Sequence, residues 1–497
     1  MSNTVVFDYD AKLSELIEHH PGLNERAMIV KAFNYAIKCH EGQLRKNGEA
    51  FDTHPINVAC ILNQYRADYE TICAALLHDT IEDCPGITHK TITEEFSETI
   101  ADLVEGVTKI SSKKLDDKEL LKIKTINKLL LTLDKDPRII IIKLADRLHN
   151  MQTIHGHNNP KKEVEKSRET QDIYIPLASL LCMYELKEAL EDLSFEVLNH
   201  ESYEELDAER HNIFGRIENF YGPSIFSYLM GDRNNNIESI FDYLSKKGIN
   251  VVSVKNQFKN VYGISKGLVK NHTKDIMDLN DIITFKIVVS TEKEVYDTYF
   301  ELCNLFRCLE DKNYVSDPKY NFYQAMHMQN RIVIDGKSYV VKFIIRTPDM
   351  ELRASDGIAS FWNYDETKPE EAKNLMLNAL RSFPFFPDLQ ETCLKKERGI
   401  IPDMEFNHAL NNLVFASKIN INLENFEKFE IYDGCTVKDL VTKLYSSAVG
   451  NGVEYYVNGI RQELSYVLKD NDSFRAYYKD ADEKVTSIQR TRYVENK

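Results

Sequence analysis

The sequence predicts a multidomain protein: an all-α domain first, an α/β mixed-sheet domain next, and a small β-grasp module at the end. With 497 residues, of which 43% are hydrophobic and 28% charged, the chain is long enough for several domains with substantial cores. Early in the chain, apolar residues recur at helical spacing, as at Ile29, Ala32, Phe33 and Ala36. After His200, runs rich in β-branched residues alternate with helical patterns, which is typical of a layered α/β fold.

Helices fill the first predicted domain, residues 1–200. Glycine and proline residues separate its apolar-periodic stretches. Two of these stretches, 71–83 and 138–153, combine an apolar face with several polar groups, and we predict a helix over each.

The second predicted domain, residues 201–365, combines strands and helices. Its β-branched runs predict strands at 249–254, 281–289 and 338–345, and a helical pattern covers 293–309. The rest of the chain divides into a helical linker, a β-grasp module of short strands around one helix, and a charged tail, at 366–412, 413–478 and 479–497.

Composition and charge argue against several classes of protein. A net charge of −16 gives no generic nucleic-acid-binding surface, so a polyanionic ligand would need a local basic cluster or a metal. No apolar run approaches the ~20 residues that cross a bilayer, and the N-terminus lacks the apolar core of a signal peptide. The nine cysteines include no CxxC pair, which in a large chain favours reduced thiols in the cytoplasm.

Ionisable side chains gather in the segment AALLHDTIED, residues 74–83. Helical spacing places His78 one turn from Glu82, and Asp79 one turn from Asp83. Carboxylates buried together are costly unless a cation neutralises them. Any one of these residues alone is more often a surface group than a ligand, so the inference depends on what accompanies them.

Two further segments supply polar side chains that could join the same site. In KLADRLHNMQT, residues 143–153, spacings of 3, 4 and 3 place four polar groups on one helix face: Lys143, Asp146, Asn150 and Thr153. Such a stripe alone is usually a solvated face. In RKNGEAFDTHP, residues 45–55, three more groups precede a predicted helix: Arg45, Lys46 and His54. Histidines, a His-Asp pair and a later aspartate, each beside an apolar helix, together favour a metal site.

These motifs resemble the RelA/SpoT homologue family in its HD-type (p)ppGpp hydrolase domain. The matching stretches are RKNGEAFDTHP, AALLHDTIED, LVEGVTKI, IIIIKLADRLHNMQT and ETQDIYIPLA. The resemblance implies one Mn²⁺ ion held by His54, His78, Asp79 and Asp146, a ligand set that also suits Zn²⁺ or Fe²⁺. It also implies a 3′-pyrophosphohydrolase that converts the stringent-response alarmones ppGpp and pppGpp to GDP or GTP and pyrophosphate.

The same resemblance assigns roles to the remaining polar residues. Glu82 and Asp83 match the catalytic acidic pair that orients and deprotonates the attacking water. The nucleotide-binding positions correspond to Arg45, Lys46, Lys143 and Asn150, with Thr153 nearby. Two departures, Cys84 where threonine is common and Asn47 where serine is common, remove no ligand. We therefore expect an intact hydrolase.

Residues 201–365 resemble the family's (p)ppGpp synthetase domain. The matching segments are DIITFKIVV, YVSDPKYNFYQAMHM and GIASFW, together with a basic loop that contains Lys259 and Tyr262. The resemblance places the synthetase site at Asp281, Lys319, Asn321, Tyr323 and His327. Without the family, Tyr323 is as well suited to core packing as to stacking on a base.

Several catalytic parts of that synthetase site are altered. Lys342 replaces the glutamate that completes Mg²⁺ binding, Ile344 replaces a glutamine, and only Arg346 remains of the ExQxR strand. The basic loop and the following strand carry three more replacements: Gln257 for arginine, Gly263 for serine and Lys286 for arginine. Pyrophosphoryl transfer depends on Mg²⁺ and cationic clamps, and a lysine ammonium repels Mg²⁺. We therefore expect a synthetase fold without synthetase activity.

Residues 413–478 resemble the family's TGS domain. Longer members continue into regions linked with ribosome docking, so we do not expect ribosome-triggered activation of this chain. Three alternatives stay open: a bifunctional (p)ppGpp synthetase/hydrolase, an HD phosphohydrolase of other nucleotides, and a nucleotide-binding sensor without turnover. The sequence leaves the oligomeric state open.

Overall fold

A computed structural model gives the fold as two compact units, Met1–Pro384 and Phe385–Lys497. The described residues of the first unit are 7–111, 132, 135–157, 159–219, 239–279, 281–316, 318, 323–334, 337–363 and 369–381. Those of the second unit are 391–392, 394–395, 398, 400–402, 418–423, 428–432, 436–438, 440–441, 453–469, 471–479 and 485–487. Within these ranges, no helix has the length and apolarity to cross a membrane, and the cysteines form no disulfide with one another.

The first unit begins with a series of helices. They are α1 Tyr9–Glu18, α2 Leu23–Cys39, α3 Thr53–Gln64, α4 Tyr69–Leu77, α5 Thr80–Asp83, α6 His89–Glu95, α7 Glu98–Ser111, α8 Arg138–Gln152, α9 Pro160–Glu169, α10 Ile175–Leu180, α11 Tyr184–Leu198 and α12 His200–Asn219. Helix α4 packs against α2, α3, α7 and α8, and every residue from Thr71 to Leu77 is buried. Helix α8 confirms the predicted helix over 138–153 to within one residue.

The predicted helix over 71–83 is broken where it carries its polar groups. Helix α4 ends at Leu77, His78 and Asp79 form a turn, and α5 begins at Thr80. Two side chains bond to the backbone of the last helical turn: the Thr80 hydroxyl donates to the Leu77 carbonyl at 2.7 Å, and His78 Nδ1 lies 2.8 Å from the Ala75 carbonyl oxygen. Such bonds compete with the helix, so one continuous helix was the wrong expectation here.

A five-stranded sheet follows, in the order β1-β2-β5-β4-β3. Its strands are β1 Val251–Phe258, β2 Ile283–Val289, β3 Arg307–Asn313, β4 Met326–Ile334 and β5 Lys337–Arg346. Strands β2 and β5 pair in parallel, and the other pairs are antiparallel. The accompanying helices are α13 Ile240–Lys246, α14 Val261–Lys270, α15 Glu292–Leu305, α16 Pro348–Asp356 and α17 Pro369–Arg381.

The sheet region corrects two of the predicted elements and adds two strands. The first strand lies at Val251–Phe258 rather than at 249–254. The helix predicted over 293–309 ends at Leu305, because strand β3 begins at Arg307. Strands β3 and β4 were not predicted. The mixed sheet itself agrees with the predicted α/β layer fold.

The end of the sheet region is joined to the first helices of the same unit. The Trp362 indole nitrogen donates to Asp68 at 2.9 Å, and the Ile358 amide donates to the Leu181 carbonyl at 3.0 Å. Gly357 makes this approach possible because it adopts a φ of +59°, and a Cβ there would lie 2.0 Å from the Leu181 oxygen. These contacts connect the two halves of the first unit.

The second unit contains a mixed sheet in the order β7-β6-β10-β8-β9, with β11 on β10. Its strands are β6 Lys418–Leu423, β7 Lys428–Tyr432, β8 Val453–Val457, β9 Ile460–Gln462, β10 Ser473–Lys479 and β11 Val485–Ser487. Strands β6 and β10 are parallel and central, and Ile421, Leu440 and Phe474 belong to the core beside them. The short strands predicted after residue 413 are present, while their assignment to a TGS domain stays a prediction.

Candidate metal centre and active site

The four predicted metal ligands meet where α3, α4 and α8 come together. His54 lies at the start of α3, His78 and Asp79 form the turn after α4, and Asp146 lies in the middle of α8. His54 Nε2 is 3.2 Å from Asp146 Oδ1 and 3.7 Å from Asp79 Oδ2, and His78 Nε2 is 3.1 Å from Asp79 Oδ1. Ligand atoms of His54, His78 and Asp146 all lie within 4.8 Å of one another. These two imidazoles and one carboxylate fit one divalent cation, and Asp79 contacts both histidines from the adjacent turn.

The electrostatics of this cluster favour a positive charge. His54, His78 and Asp146 are buried. Burial alone would lower the pKa of His78, but the Asp79 carboxylate outweighs it and raises that pKa to about 9. Burial raises the pKa of Asp79, yet the His78 charge prevails and brings it to about 2. Burial raises the pKa of Asp146 as well, but the Lys143 charge outweighs it and holds that pKa well below its usual range. The two carboxylates are therefore ionised, and the site is suited to a cation.

A buried histidine that was not predicted orients one of the ligands. His149 Nδ1 lies 2.7 Å from His54 Nδ1, so the opposite nitrogen of His54 faces the two aspartates. Burial, reinforced by His54, lowers the pKa of His149 to about 3, so its ring is neutral and can accept the His54 proton. The available signal was its position three residues after Asp146, on the same face of α8.

Glu82 and Asp83 lie on α5, directly after the ligand turn. Both side chains are exposed, so they border the buried ligands on the side open to solvent. Burial of the carboxyl groups, then the charge of Asp79, raises the pKa of each above its ordinary value. A carboxylate of raised pKa beside a metal centre is suited to accept a proton from water.

The five predicted substrate-binding residues separate into two groups. Lys143 Nζ donates to Asp146 Oδ2 at 2.7 Å, and the Asn150 amide donates to Asp146 Oδ1 at 2.5 Å. These two therefore hold a ligand carboxylate in place. Arg45 donates to the Thr153 hydroxyl at 3.0 Å, and Lys46 is exposed. The structure thus brings together predicted residues from three separate segments, while the place of Lys46 in the site stays a prediction.

The residues predicted for the synthetase-like site lie around a second cavity, of about 530 Å³, between α11 and the sheet. Asp281 precedes β2, and its carboxylate lies 2.6 Å from Lys259 Nζ. Lys342 on β5 also lines the cavity, and burial lowers its pKa despite the opposing charge of Asp281. Lys319 and Asn321 lie outside the described residues.

Tyr323 and His327 belong to a packed, hydrogen-bonded group at one end of this cavity. Tyr323 is buried, its hydroxyl lies 2.5 Å from His327 Nε2 and accepts a hydrogen bond from Arg346, and the Arg346 guanidinium lies 5.0 Å from the Tyr323 ring centroid. Tyr323 is therefore packed in the core and also lines the cavity, and its predicted stacking on a base stays a prediction.

Two family profiles match the chain. The profile described as "HD domain" covers residues 32–183, and the one described as "Region found in RelA / SpoT proteins" covers residues 256–369. The first spans all four candidate ligands, and the second spans most of the sheet around the second cavity.

Among curated relatives, a guanosine-3′,5′-bis(diphosphate) 3′-pyrophosphohydrolase from Aquifex aeolicus is 33% identical over 95% of this chain and 63% of its own length. The bifunctional (p)ppGpp synthase/hydrolase SpoT of Escherichia coli is 30% identical over 91% of this chain and 62% of its own length. This chain thus spans less than two thirds of either relative.

Among solved structures, the small alarmone synthetase 1 of Bacillus subtilis bound to its product pppGpp matches 39% of this chain and 97% of that chain. It is 18% identical, with a TM-score of 0.25.

Proposed function

Because this chain belongs to the RelA/SpoT family, we propose that its helical region removes the 3′-diphosphate of ppGpp and pppGpp. The products are GDP or GTP and pyrophosphate. One observation carries the proposal: His54, His78, Asp79 and Asp146 converge within the region that matches the HD domain, with an exposed acidic pair beside them. Most of the chain also aligns with a relative named for this activity.

We propose Mn²⁺ as the cofactor, held by the four converging ligands. When bound, the ion supplies positive charge that acidifies water and offsets phosphate charge. Lys143 and Asn150 fix the Asp146 carboxylate, and His149 fixes the His54 ring. These contacts keep the donor atoms in place without substrate, which reduces the reorganisation needed during reaction.

Glu82 and Asp83 divide the acid–base work at the solvent side of the site. Glu82 accepts a proton from the attacking water, and Asp83 orients that water. Arg45 and Lys46 bind the phosphates of the substrate, for which a guanidinium and an ammonium are well suited. The Arg45 guanidinium is already oriented by Thr153.

In the second region, we propose a synthetase fold without synthetase activity. The supporting contact is the ion pair between Asp281 and Lys259, with Lys342 beside it, because a carboxylate held by ammonium groups is a poor Mg²⁺ ligand. The bifunctional alternative has one observation in its favour, the name of the Escherichia coli relative. Synthesis from ATP and GDP, measured directly, separates the two.

Two further assignments complete the proposal. Residues 413–478 form a TGS domain, supported by the mixed sheet with a central parallel pair. The protein acts in the cytoplasm, where its nucleotide substrates are formed.

The decisive experiment is incubation of the purified chain with ppGpp and Mn²⁺, followed by separation of the products by anion exchange. We expect GDP and pyrophosphate in equal amounts. Release of inorganic phosphate instead would place the cleavage at a phosphoanhydride bond and contradict the proposal. A panel containing GTP, dGTP and ATP tests the HD phosphohydrolase alternative, which predicts comparable turnover of ordinary nucleotides. Binding of ppGpp without any product would favour the sensor alternative.

A further inference from the structure

The cavity between α11 and the sheet is locally basic in an acidic protein. Seven lysine and arginine side chains line it against four carboxylates, whereas the whole chain carries a net charge of −16. The cavity volume of about 530 Å³ is large enough for a small phosphorylated molecule.

The carboxylates in the cavity are largely engaged by protein groups. Asp281 forms an ion pair with Lys259 at 2.6 Å, and Glu191 forms one with Lys187 at 2.7 Å. Glu188 accepts a hydrogen bond from Gln257 at 3.2 Å, and burial raises the pKa of its carboxyl group. Since these carboxylates are already paired, the remaining lysine and arginine side chains give the cavity its positive charge.

Strands β2 and β5 direct cations into the cavity from adjacent positions. Every second residue at the end of β5 lines the cavity: Lys342, Ile344 and Arg346. Lys286 of β2 lines it too. Lys286 and Ile344 are partners in the parallel register, so Lys286 lies between the two cations of β5. Three cations on one face of a parallel strand pair form a binding surface for an oxyanion.

Arg346 is a buried cation with one nitrogen atom left unpaired in the part of the chain that the structure describes. Its side chain is only 6% exposed, and its two terminal nitrogens donate to Glu351 and Tyr323. Its Nε, also buried, has no hydrogen-bond partner among the described residues. A buried charged donor without a partner is costly, and an anion in the cavity is a suitable acceptor.

We propose that this cavity binds a phosphate-type oxyanion without a divalent metal, with the Lys342 ammonium providing the positive charge that a metal ion would otherwise provide. The shared chemistry is a phosphate or pyrophosphate group, which is either free or part of a nucleotide. Because α11 of the helical region and β5 of the sheet both line the cavity, the anion lies between the two halves of the first unit.

Lys342→Glu is the decisive variant, and Lys274→Glu is its matched control. Lys274 is exposed and does not line the cavity, so it makes the same charge change elsewhere. Binding of pyrophosphate, GDP and ATP is measured by isothermal titration on the full chain in EDTA, and again with excess Mg²⁺. Circular dichroism checks that each variant is folded, and Lys342→Gln repeats the test if the charge reversal prevents folding.

In EDTA we expect pyrophosphate to bind the unaltered protein. Lys342→Glu should raise its Kd by ~10-fold or more, since it removes a charge-assisted contact and adds a repulsive charge, while Lys274→Glu should leave Kd within ~2-fold. Excess Mg²⁺ should weaken binding to the unaltered protein and strengthen binding to the Lys342→Glu variant. Equal affinity for all three probes identifies the phosphate group alone as the ligand, and tighter binding of GDP or ATP identifies a nucleotide.

Three outcomes overturn the proposal. The first is pyrophosphate binding that requires Mg²⁺ in the unaltered protein, and the second is no binding of any probe at millimolar concentration. The third is loss of binding in Arg45→Ala, which would place the anion in the hydrolase site instead. Since these measurements use no Mn²⁺ and no turnover, they fail independently of the proposed hydrolysis.

Discussion

Replacing Arg138 with methionine tests what holds the two ligand-bearing helices together. Arg138 begins α8, the helix of Asp146, and its side chain is completely buried. It donates to Asp136 at 2.8 Å, to Glu70 at 3.0 Å and to Asp68 at 3.4 Å. Asp68 in turn caps α4 by accepting from the Thr71 amide, and α4 leads directly to His78 and Asp79. One guanidinium therefore links the beginnings of both helices.

The expected loss of stability follows from the carboxylates that remain. Methionine keeps much of the side-chain volume but leaves three carboxylates without their shared cation. These carboxylate side chains are largely buried: Asp68 is 7% exposed, Glu70 14% and Asp136 12%. Removal of one partner from a buried ion pair costs ~3–5 kcal/mol. We expect the free energy of unfolding of the first unit to fall by ~4 kcal/mol at pH 7.5.

The single tryptophan of the chain provides the assay. Trp362 donates to Asp68, so its fluorescence during urea denaturation reports on this cluster. The control is Arg210→Met, which removes a partly exposed ion pair with Asp207 and should cost ~1 kcal/mol or less. Glu70→Gln added to Arg138→Met should recover part of the loss, because it removes one carboxylate charge that Arg138 had neutralised. If Arg138→Met costs no more than Arg210→Met, the cluster does not hold the helices together.

Three other predictions concern the metal, the pH dependence and the second cavity. The His78→Ala variant should lose its bound Mn²⁺, as measured by plasma mass spectrometry. The Glu82→Gln variant should keep the metal and lower kcat by ~10²-fold. Loss of metal from the Glu82→Gln variant would instead make Glu82 a ligand. Burial lowers the pKa of His20 to about 4, so the folded chain keeps this histidine neutral while the unfolded chain protonates it near pH 6.5. The free energy of unfolding should therefore fall by up to ~3 kcal/mol as the pH is lowered from 6.5 to 4. The His20→Gln variant should show a smaller fall in the same urea titrations. Asp79→Ala, in which hydrolysis is disabled, should form no ppGpp from radiolabelled ATP and GDP, and clear product would establish the bifunctional alternative.

Local patterns in the sequence determined the features that depend on neighbours within one helical turn. Helix α8 was predictable because its apolar and polar residues follow the helical period throughout. The ligand candidates were predictable by type, since histidines and aspartates beside apolar helices suggest a buried cation. Strand β3 was missed because five of its seven residues are exposed, and an edge strand of this kind carries little hydrophobic alternation.

Contacts between residues far apart in the chain were decided only by the tertiary structure. His149 and His54 are 95 positions apart, and Trp362 and Asp68 are 294 apart, so no local period relates them. The break between α4 and α5 depends on side chains that bond to the backbone, which competes with the helix that the apolar pattern favours. The sequence by itself thus determined which chemical groups are present and which helix carries Asp146. Packing decided which of these groups meet, because burial and electrostatic contact depend on distance in space rather than on separation along the chain.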